Sequence, residues 1–179
     1  VLRLEEIKQL FKTCDQSLLG KRNRAVLAIY YGLGLRRSEG VNVMLDDVDF
    51  YKDEVLITKS KTNRQRRVPM SEFVKNVLED YVFNVREKLI PSDKQTAALL
   101  VTQQGKPLSK ESVSYIIKIL VIESKIKTHA SAHTLRHSIA THLLQSGMSL
   151  ENIALFLGHT SLDSTQIYTH LTPEVNENI

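Results

Sequence analysis

Apolar side chains recur at helical spacing along most of this 179-residue chain, and this period constrains the fold more than any other feature. Ser71, Ser109 and Ser149 precede three of the apolar stretches, and a serine hydroxyl can accept a hydrogen bond from the first N–H groups of a helix. Gly147 and Gly158 follow two stretches as C-terminal stops. The predicted helices pass through residues 4–11, 25–31, 73–89, 113–120, 132–145 and 150–157.

One part of the chain has the two-residue period of a β-strand instead. Apolar residues alternate with polar ones over residues 48–57, Thr62-Asn63 predicts a turn, and Arg66–Pro69 predicts the returning strand. A further short strand is predicted at residues 99–102, before a turn at Gln104-Gly105. The sequence therefore predicts a mainly α fold with a small antiparallel β-hairpin, which is an α+β protein.

The positive charges of the chain are unevenly distributed. The net charge is +4 and the pI is about 9.1, which alone is weak evidence for a polyanionic partner. Residues 16–38, 55–71 and 124–150, however, contain lysine and arginine and no acidic residue. A single run of this kind is usually a solvated face, but three runs that also contain candidate catalytic residues indicate a nucleic-acid ligand.

Cysteine content and hydropathy indicate the cellular compartment. Cys14 is the single cysteine, so an intramolecular disulfide is excluded. No apolar run approaches the roughly 20 residues that span a bilayer, and the first residues do not have the pattern of a signal peptide. We therefore expect a soluble, cytoplasmic protein without a membrane partner.

A histidine and an arginine stand three residues apart within one predicted helix. This spacing places His133 and Arg136 on the same side of the helix, where an imidazole and a guanidinium can converge on one oxyanion. Such pairs occur by chance in many helices, so the pair identifies a site only together with the motifs around it.

Five motifs follow one another along residues 23–171, nearly the whole chain, with a spacing of nine residues between His159 and Tyr168. In this order they resemble the signature of the tyrosine recombinase and integrase family, Xer-like in type. The motifs are Gly34-Leu35-Arg36-Arg37-Ser38-Glu39, Lys61 in a basic hairpin, His133-Thr134-Leu135-Arg136-His137, Leu157-Gly158-His159 and Tyr168-Thr169-His170.

The resemblance implies the catalytic-domain fold of that family and DNA cleavage through a 3′-phosphotyrosyl intermediate. Two of the implied roles also follow from the chemistry. Guanidinium groups fit the oxygens of a phosphodiester, and a phenol is a better leaving group than a serine hydroxyl. The implied catalytic residues are the nucleophile Tyr168 with Arg36, Lys61, His133, Arg136 and His159.

Five other tyrosines compete with Tyr168 for the role of nucleophile. Tyr30, Tyr31 and Tyr81 occur in apolar patterns that indicate core packing, whereas Tyr51 and Tyr115 lie outside the matching motifs. We expect Tyr168 in a last helix that begins at one of two serines, Ser161 or Ser164.

Several roles stay open between neighbouring residues. His133 is either the general base for the phenol or a hydrogen-bond donor to the phosphate, and Lys59 is the rival of Lys61. Ser38 and Glu39 are expected to begin a short helix, with Glu39 positioning a basic group. The expected contacts to DNA phosphates are Arg37, Lys59, Arg64 and Arg66.

The resemblance also implies an organisation and partners. It implies one catalytic domain over residues 1–179, without the core-binding domain that family members carry before it. The implied partner is double-stranded DNA, with a homo-oligomer, a tetramer of the full-length protein on two DNA sites. No nucleotide cofactor and no metal ion are implied.

Three other functions stay open. A type IB topoisomerase uses the same chemistry, and a non-catalytic DNA-binding regulator can have the same fold. A metal-dependent hydrolase is the third, because His133 and His137 have the i, i+4 spacing of helical zinc ligands, although the glutamate of that motif is missing.

Overall fold

The computed structural model describes residues 1–58 and 65–158. The described part is mainly helical, with one small antiparallel sheet, as predicted. Its helices are α1 (Leu4–Thr13), α2 (Leu18–Leu27), α3 (Arg37–Asn42), α4 (Glu72–Tyr81), α5 (Glu87–Leu89), α6 (Lys110–Ser124), α7 (Ala132–Gln145) and α8 (Leu150–Leu157). Its strands are β1 (Val48–Asp49), β2 (Glu54–Ile57) and β3 (Arg66–Pro69), paired in the order β1-β2-β3. A π-helical turn extends α2 at Ala28–Gly32 and α4 at Val82–Arg86.

The predicted helix ends are confirmed at the serine and glycine positions. Ser71, Ser109 and Ser149 each accept a hydrogen bond from the backbone N–H three residues later. Gly147 and Gly158 adopt φ angles of +94° and +83°, a left-handed conformation in which a side chain would be strained. These residues act locally, so their neighbours in the sequence were sufficient to predict them.

Helix α3 begins earlier than predicted. The prediction had Ser38 and Glu39 begin this helix, but Arg37 is its first residue and Arg36 its N-cap. The cause is the Glu39 side chain, which accepts a hydrogen bond of 2.9 Å from the backbone N–H of Arg36. This glutamate thereby pairs a backbone N–H at the start of the helix that has no acceptor within the helix.

The strand predicted at residues 99–102 is wrong. Only isolated bridges form near it, Met44 with Ala98 and Val101 with Pro107. The Tyr81 hydroxyl donates to the Leu99 carbonyl and accepts from the Val101 N–H, which takes up groups that a strand would offer to a neighbour. The other backbone groups are divided between two segments, since the Leu99 N–H donates to Val43 and the Leu100 carbonyl accepts from Leu108, so no continuous strand pairing forms.

The buried tyrosines confirm the predicted core. Tyr30, Tyr31 and Tyr81 are buried, whereas Tyr51 and Tyr115 are exposed. Tyr30 and Tyr31 lie in the π-helical turn, which packs against α7. None of the described helices combines the length and the apolar character that crossing a bilayer requires.

The two strands of the predicted hairpin are present and paired. Strands β2 and β3 pair in antiparallel register, from Glu54 opposite Pro69 to Ile57 opposite Arg66. Val55 and Val68 face each other within the core. The turn predicted at Thr62-Asn63 lies outside the described residues.

Arg86 holds the segment that follows α5. Its guanidinium is buried and donates to the carbonyls of Thr96, Ala98 and Leu99 at 2.6–3.3 Å. Its acidic partner, Glu87, is mostly exposed, so these backbone acceptors account for most of the contacts of the cation. Arg86 therefore takes the place of a neighbouring strand for residues 96–99.

We expect Arg86→Met to lower the free energy of unfolding by about 3 kcal/mol, because the buried Ala98 carbonyl and the part-buried Thr96 carbonyl lose the donor that Arg86 supplies. Urea unfolding followed by circular dichroism measures this change. The matched control is Lys88→Met, an exposed position two residues later, which should alter stability by less than about 0.5 kcal/mol. Equal effects of the two substitutions would contradict this assignment.

Candidate active site

Glu39 is a buried carboxylate that gathers three guanidinium groups. Arg36 Nη1 lies 3.0 Å from its Oε1, and Arg66 reaches both oxygens, at 2.9 and 3.0 Å. Arg136 Nη1 stands 3.9 Å from Oε2. We call these four residues the Glu39 cluster. One negative charge against three positive charges leaves an excess of positive charge, which favours an anionic ligand.

The electrostatics of the cluster appear in two pKa shifts. Burial alone would raise the pKa of Glu39, but hydrogen bonds from Arg66 and from the Arg36 backbone, together with the nearby positive charge, lower it below its ordinary value. Burial, and then the neighbouring charge of Arg36, lower the pKa of Arg136 to about 10. Both groups therefore remain charged at neutral pH.

A tyrosine of the preceding π-helical turn holds the first residue of α3. The Tyr30 hydroxyl donates to the Arg37 carbonyl at 3.1 Å. A Cβ atom at Gly40 would lie 2.6 Å from the Tyr30 ring, so glycine at this position lets the ring pack against the helix. The π-helical turn thereby positions the helix that carries Arg36 and Glu39.

Arg136 connects two of the motifs through backbone groups. Its Nη1 donates to the Gly34 carbonyl at 2.6 Å and its Nη2 to the Leu157 carbonyl at 2.7 Å. Gly34 has a φ of +58° and passes close to the side chain of Leu157. The buried guanidinium therefore joins the chain before Arg36 to the end of α8.

His133 lies apart from this buried cluster. It occupies the first turn of α7 and is exposed, whereas Arg136 is buried. Its ring meets that of His137 edge to face, with centroids 4.3 Å apart. No hydrogen bond joins His133 to Arg136 within the described ranges, so a ligand that contacts both has to lie between the surface and the cluster.

The remaining predicted site residues fall into two groups. Arg37 is exposed and donates to the Ser114 hydroxyl at 3.2 Å, whereas Arg66 is mostly buried in the Glu39 cluster. The phosphate contacts predicted for these two arginines stay predictions. Five other predicted residues lie outside the described ranges, namely Lys59, Lys61, Arg64, His159 and Tyr168.

One contact near the site has no counterpart in the sequence motifs. The Tyr31 hydroxyl and His142 Nδ1 are hydrogen-bonded at 2.8 Å, and burial lowers the pKa of His142. This bond fastens the π-helical turn to α7, the elements before Arg36 and around Arg136. Periodicity places Tyr31 in an apolar stretch, but it carries no signal that pairs it with His142.

Known proteins resemble this chain over nearly its whole length. The model of the phage integrase family matches residues 1–174. Tyrosine recombinase XerC of Lacticaseibacillus casei (strain BL23) is 38% identical over 169 residues, which cover 93% of this chain and 56% of the relative. The chain thus spans little more than half the length of this curated relative.

Two crystal structures have the same architecture. The XerA recombinase superposes with a TM-score of 0.80 at 27% identity, over 97% of this chain and 61% of that one. XerH site-specific recombinase, bound to difH substrate in a pre-cleavage complex, gives a TM-score of 0.73 at 26% identity, over 94% and 49%. These similarities confirm the fold predicted from the sequence.

We expect Glu39→Gln to lower the free energy of unfolding by about 3 kcal/mol at neutral pH, because the buried Arg136 and the mostly buried Arg66 lose their counter-charge. The lowered pKa of Glu39 means that its contribution is complete above its ordinary pKa of 4.5 and is lost as the pH falls through the folded-state pKa. The difference between variant and wild type should therefore shrink in acid.

Denaturant unfolding at a series of pH values measures that difference. Glu87→Gln, at a mostly exposed glutamate, is the control and should follow wild type throughout. A difference between Glu39→Gln and wild type that stays constant in acid would exclude the carboxylate charge as its source.

Proposed function

Because this chain belongs to the phage integrase family, we propose that it is the catalytic part of a site-specific DNA recombinase. The observation that carries the proposal is the Glu39 cluster. It brings the two arginines of separate motifs, Arg36 and Arg136, to one carboxylate with an excess of positive charge. Such a cluster suits the scissile phosphate of DNA.

The arginines would stabilise the charge that develops on the phosphate. A phosphodiester under attack carries negative charge on its non-bridging oxygens, and fixed guanidinium donors bind these oxygens without reorganising. Arg36 keeps part of its side chain exposed for this contact, while Arg136 is held by backbone carbonyls. The proposed contacts of Arg37, Lys59 and Arg64 lie on neighbouring DNA phosphates.

The proposed reaction is a pair of transesterifications. The Tyr168 oxygen attacks phosphorus, the bond from phosphorus to the 5′ oxygen breaks, and Lys61 protonates that oxygen. His133 accepts the phenol proton or donates to the phosphate, and His159 donates to a non-bridging oxygen. A 5′ hydroxyl of another strand then attacks the phosphotyrosine and releases Tyr168. Each step forms one phosphorus–oxygen bond and breaks one, so the proposed reaction uses neither a nucleotide cofactor nor a metal ion.

The proposed partner is double-stranded DNA, as in the XerH complex with difH substrate. Exchange between two duplexes needs a nucleophile for every strand that is cut, so we propose a homo-oligomer, a tetramer of the full-length protein on two sites. The proposed compartment is the cytoplasm, where the DNA of a prokaryotic cell lies.

A trapped covalent adduct tests the reaction class. The substrate is a pool of duplexes of randomised sequence, nicked so that the short 5′ fragment diffuses away after cleavage. We expect a protein–DNA adduct on a denaturing gel in EDTA with wild type, and none with Tyr168→Phe, which lacks the attacking oxygen. Tyr51→Phe is the control, because this exposed tyrosine lies outside the motifs. Binding without an adduct would indicate a regulatory DNA-binding protein.

A sulfur substitution tests which lysine protonates the leaving group. A 5′-bridging phosphorothiolate leaves as a thiolate, whose conjugate thiol has a pKa of about 8.5, so its departure needs no proton donor. We expect Lys61→Ala to cleave the ordinary substrate about a hundredfold more slowly than wild type, in the range of general acid catalysis, and the sulfur substrate at the wild-type rate. Lys59→Ala is the comparison: at saturating DNA it should cleave both substrates at the same fraction of the wild-type rate, because a lost phosphate contact does not depend on the leaving group. Rescue of Lys59→Ala instead would exchange the two roles.

A further inference from the structure

We propose that Arg66 is a positioning residue, which acts on the reaction through Glu39 and not by binding DNA. This inference rests on the proposed function. Arg66 aligns three parts of the site: the base of the β2–β3 hairpin, the N-terminus of α3 that carries Arg36, and the end of α8. Three sets of contacts support it.

The first set is the ion pair with Glu39. Arg66 places one η nitrogen on each carboxylate oxygen, at 2.9 and 3.0 Å. Arg36 donates to Oε1 at 3.0 Å, and Arg136 stands 3.9 Å from Oε2. Since Arg66 contacts both oxygens, it sets the plane of the carboxylate and thereby the oxygen that Arg36 meets.

The second set joins Arg66 to the end of α8. A Cβ atom built on Gly158 would lie 2.7 Å from Nε and Cζ of Arg66, so the guanidinium lies against the backbone of this glycine. Gly158 also has a φ of +83°. Both constraints favour glycine at this position, which directly precedes the predicted catalytic residue His159 in the sequence.

The third set is the strand register. Arg66 pairs with Ile57, the last described pair of the hairpin before residues 59–64. Lys61 follows Ile57 by four residues and precedes Arg66 by five. The contact between Arg66 and Glu39 therefore holds the strand pair of Ile57 and Arg66, and the predicted proton donor Lys61 lies between these two residues in the sequence.

The observed contacts of Arg66 are directed at Glu39. Both η nitrogens are on Glu39, and the side chain is only 14% exposed. Nε is buried and has no hydrogen-bond partner among the described residues. Each η nitrogen has a second N–H, so a DNA contact is the alternative that the dissociation constant for DNA distinguishes. A lysine at this position could not reproduce the two-pronged contact, because its ammonium is a point charge.

Arg66→Lys tests the inference, with Arg67→Lys as the matched control. Arg67 is the next residue of the same strand and also pairs with a glutamate, Glu54, at 2.7 Å, but it is half exposed. The measurements are the single-turnover rate of adduct formation at saturating DNA and the dissociation constant for DNA. We expect Arg66→Lys to slow cleavage about tenfold or more, because small misplacements of catalytic groups reduce rates strongly, with DNA affinity unchanged. Arg67→Lys should leave the rate unchanged.

A second variant keeps the test valid if Arg66→Lys does not fold. Glu39→Asp retracts the carboxylate by one methylene group and leaves Arg66 intact, and it should also slow cleavage without weakening DNA binding. Combining Arg66→Lys with Glu39→Asp should slow cleavage little more than either change alone, since both act through one contact. A general loss of stability would instead make the two effects multiply.

The outcomes separate this inference from the proposed function. Weaker DNA binding by Arg66→Lys, with an unchanged rate at saturation, would make Arg66 a DNA contact and overturn the inference. A wild-type rate in Arg66→Lys or in Glu39→Asp, or multiplicative effects in the double variant, would also overturn it while the recombinase function stands. No adduct from wild type would refute the proposed function, and the inference with it.

Discussion

The buried carboxylate of Glu39 is the contact on which the candidate site depends. It holds arginines from α3, β3 and α7, elements that are far apart in the sequence. Burying an ion cluster costs desolvation free energy, and apolar replacements of such clusters are often at least as stable. Stability alone therefore gives no reason to place a buried carboxylate among three arginines here. The proposed reaction, which needs cations in fixed positions, does.

The sequence was sufficient for the elements whose signals are local. Serine caps, glycine ends and the burial of Tyr30 and Tyr31 depend on nearby residues, and the structure confirms them. The wrong strand at residues 99–102 has the opposite cause. Two of its backbone groups are taken by Tyr81, a side chain of a different element, and strand propensity cannot register such a partner.

The same distinction applies within the site. The motifs identified Arg36 and Arg136, and Glu39 as a residue that positions a basic group, because these residues occur at recognisable spacings. The partner of Arg66 could not be predicted in this way, since Glu39 lies 27 residues earlier. A run of positive charges in a sequence does not show which acid faces it, so Arg66 resembled its exposed neighbours until the fold was known.

Arg136 shows how the domain prepares this site before any ligand arrives. Its η nitrogens are held by the carbonyls of Gly34 and Leu157, and burial has already lowered its pKa to about 10. The desolvation of this cation is thus part of folding and adds nothing to the barrier of a later reaction. Because these carbonyls belong to the segments next to Arg36 and His159, any movement of the guanidinium also moves those segments. Preorganisation and the connection between motifs are therefore consequences of the same two hydrogen bonds.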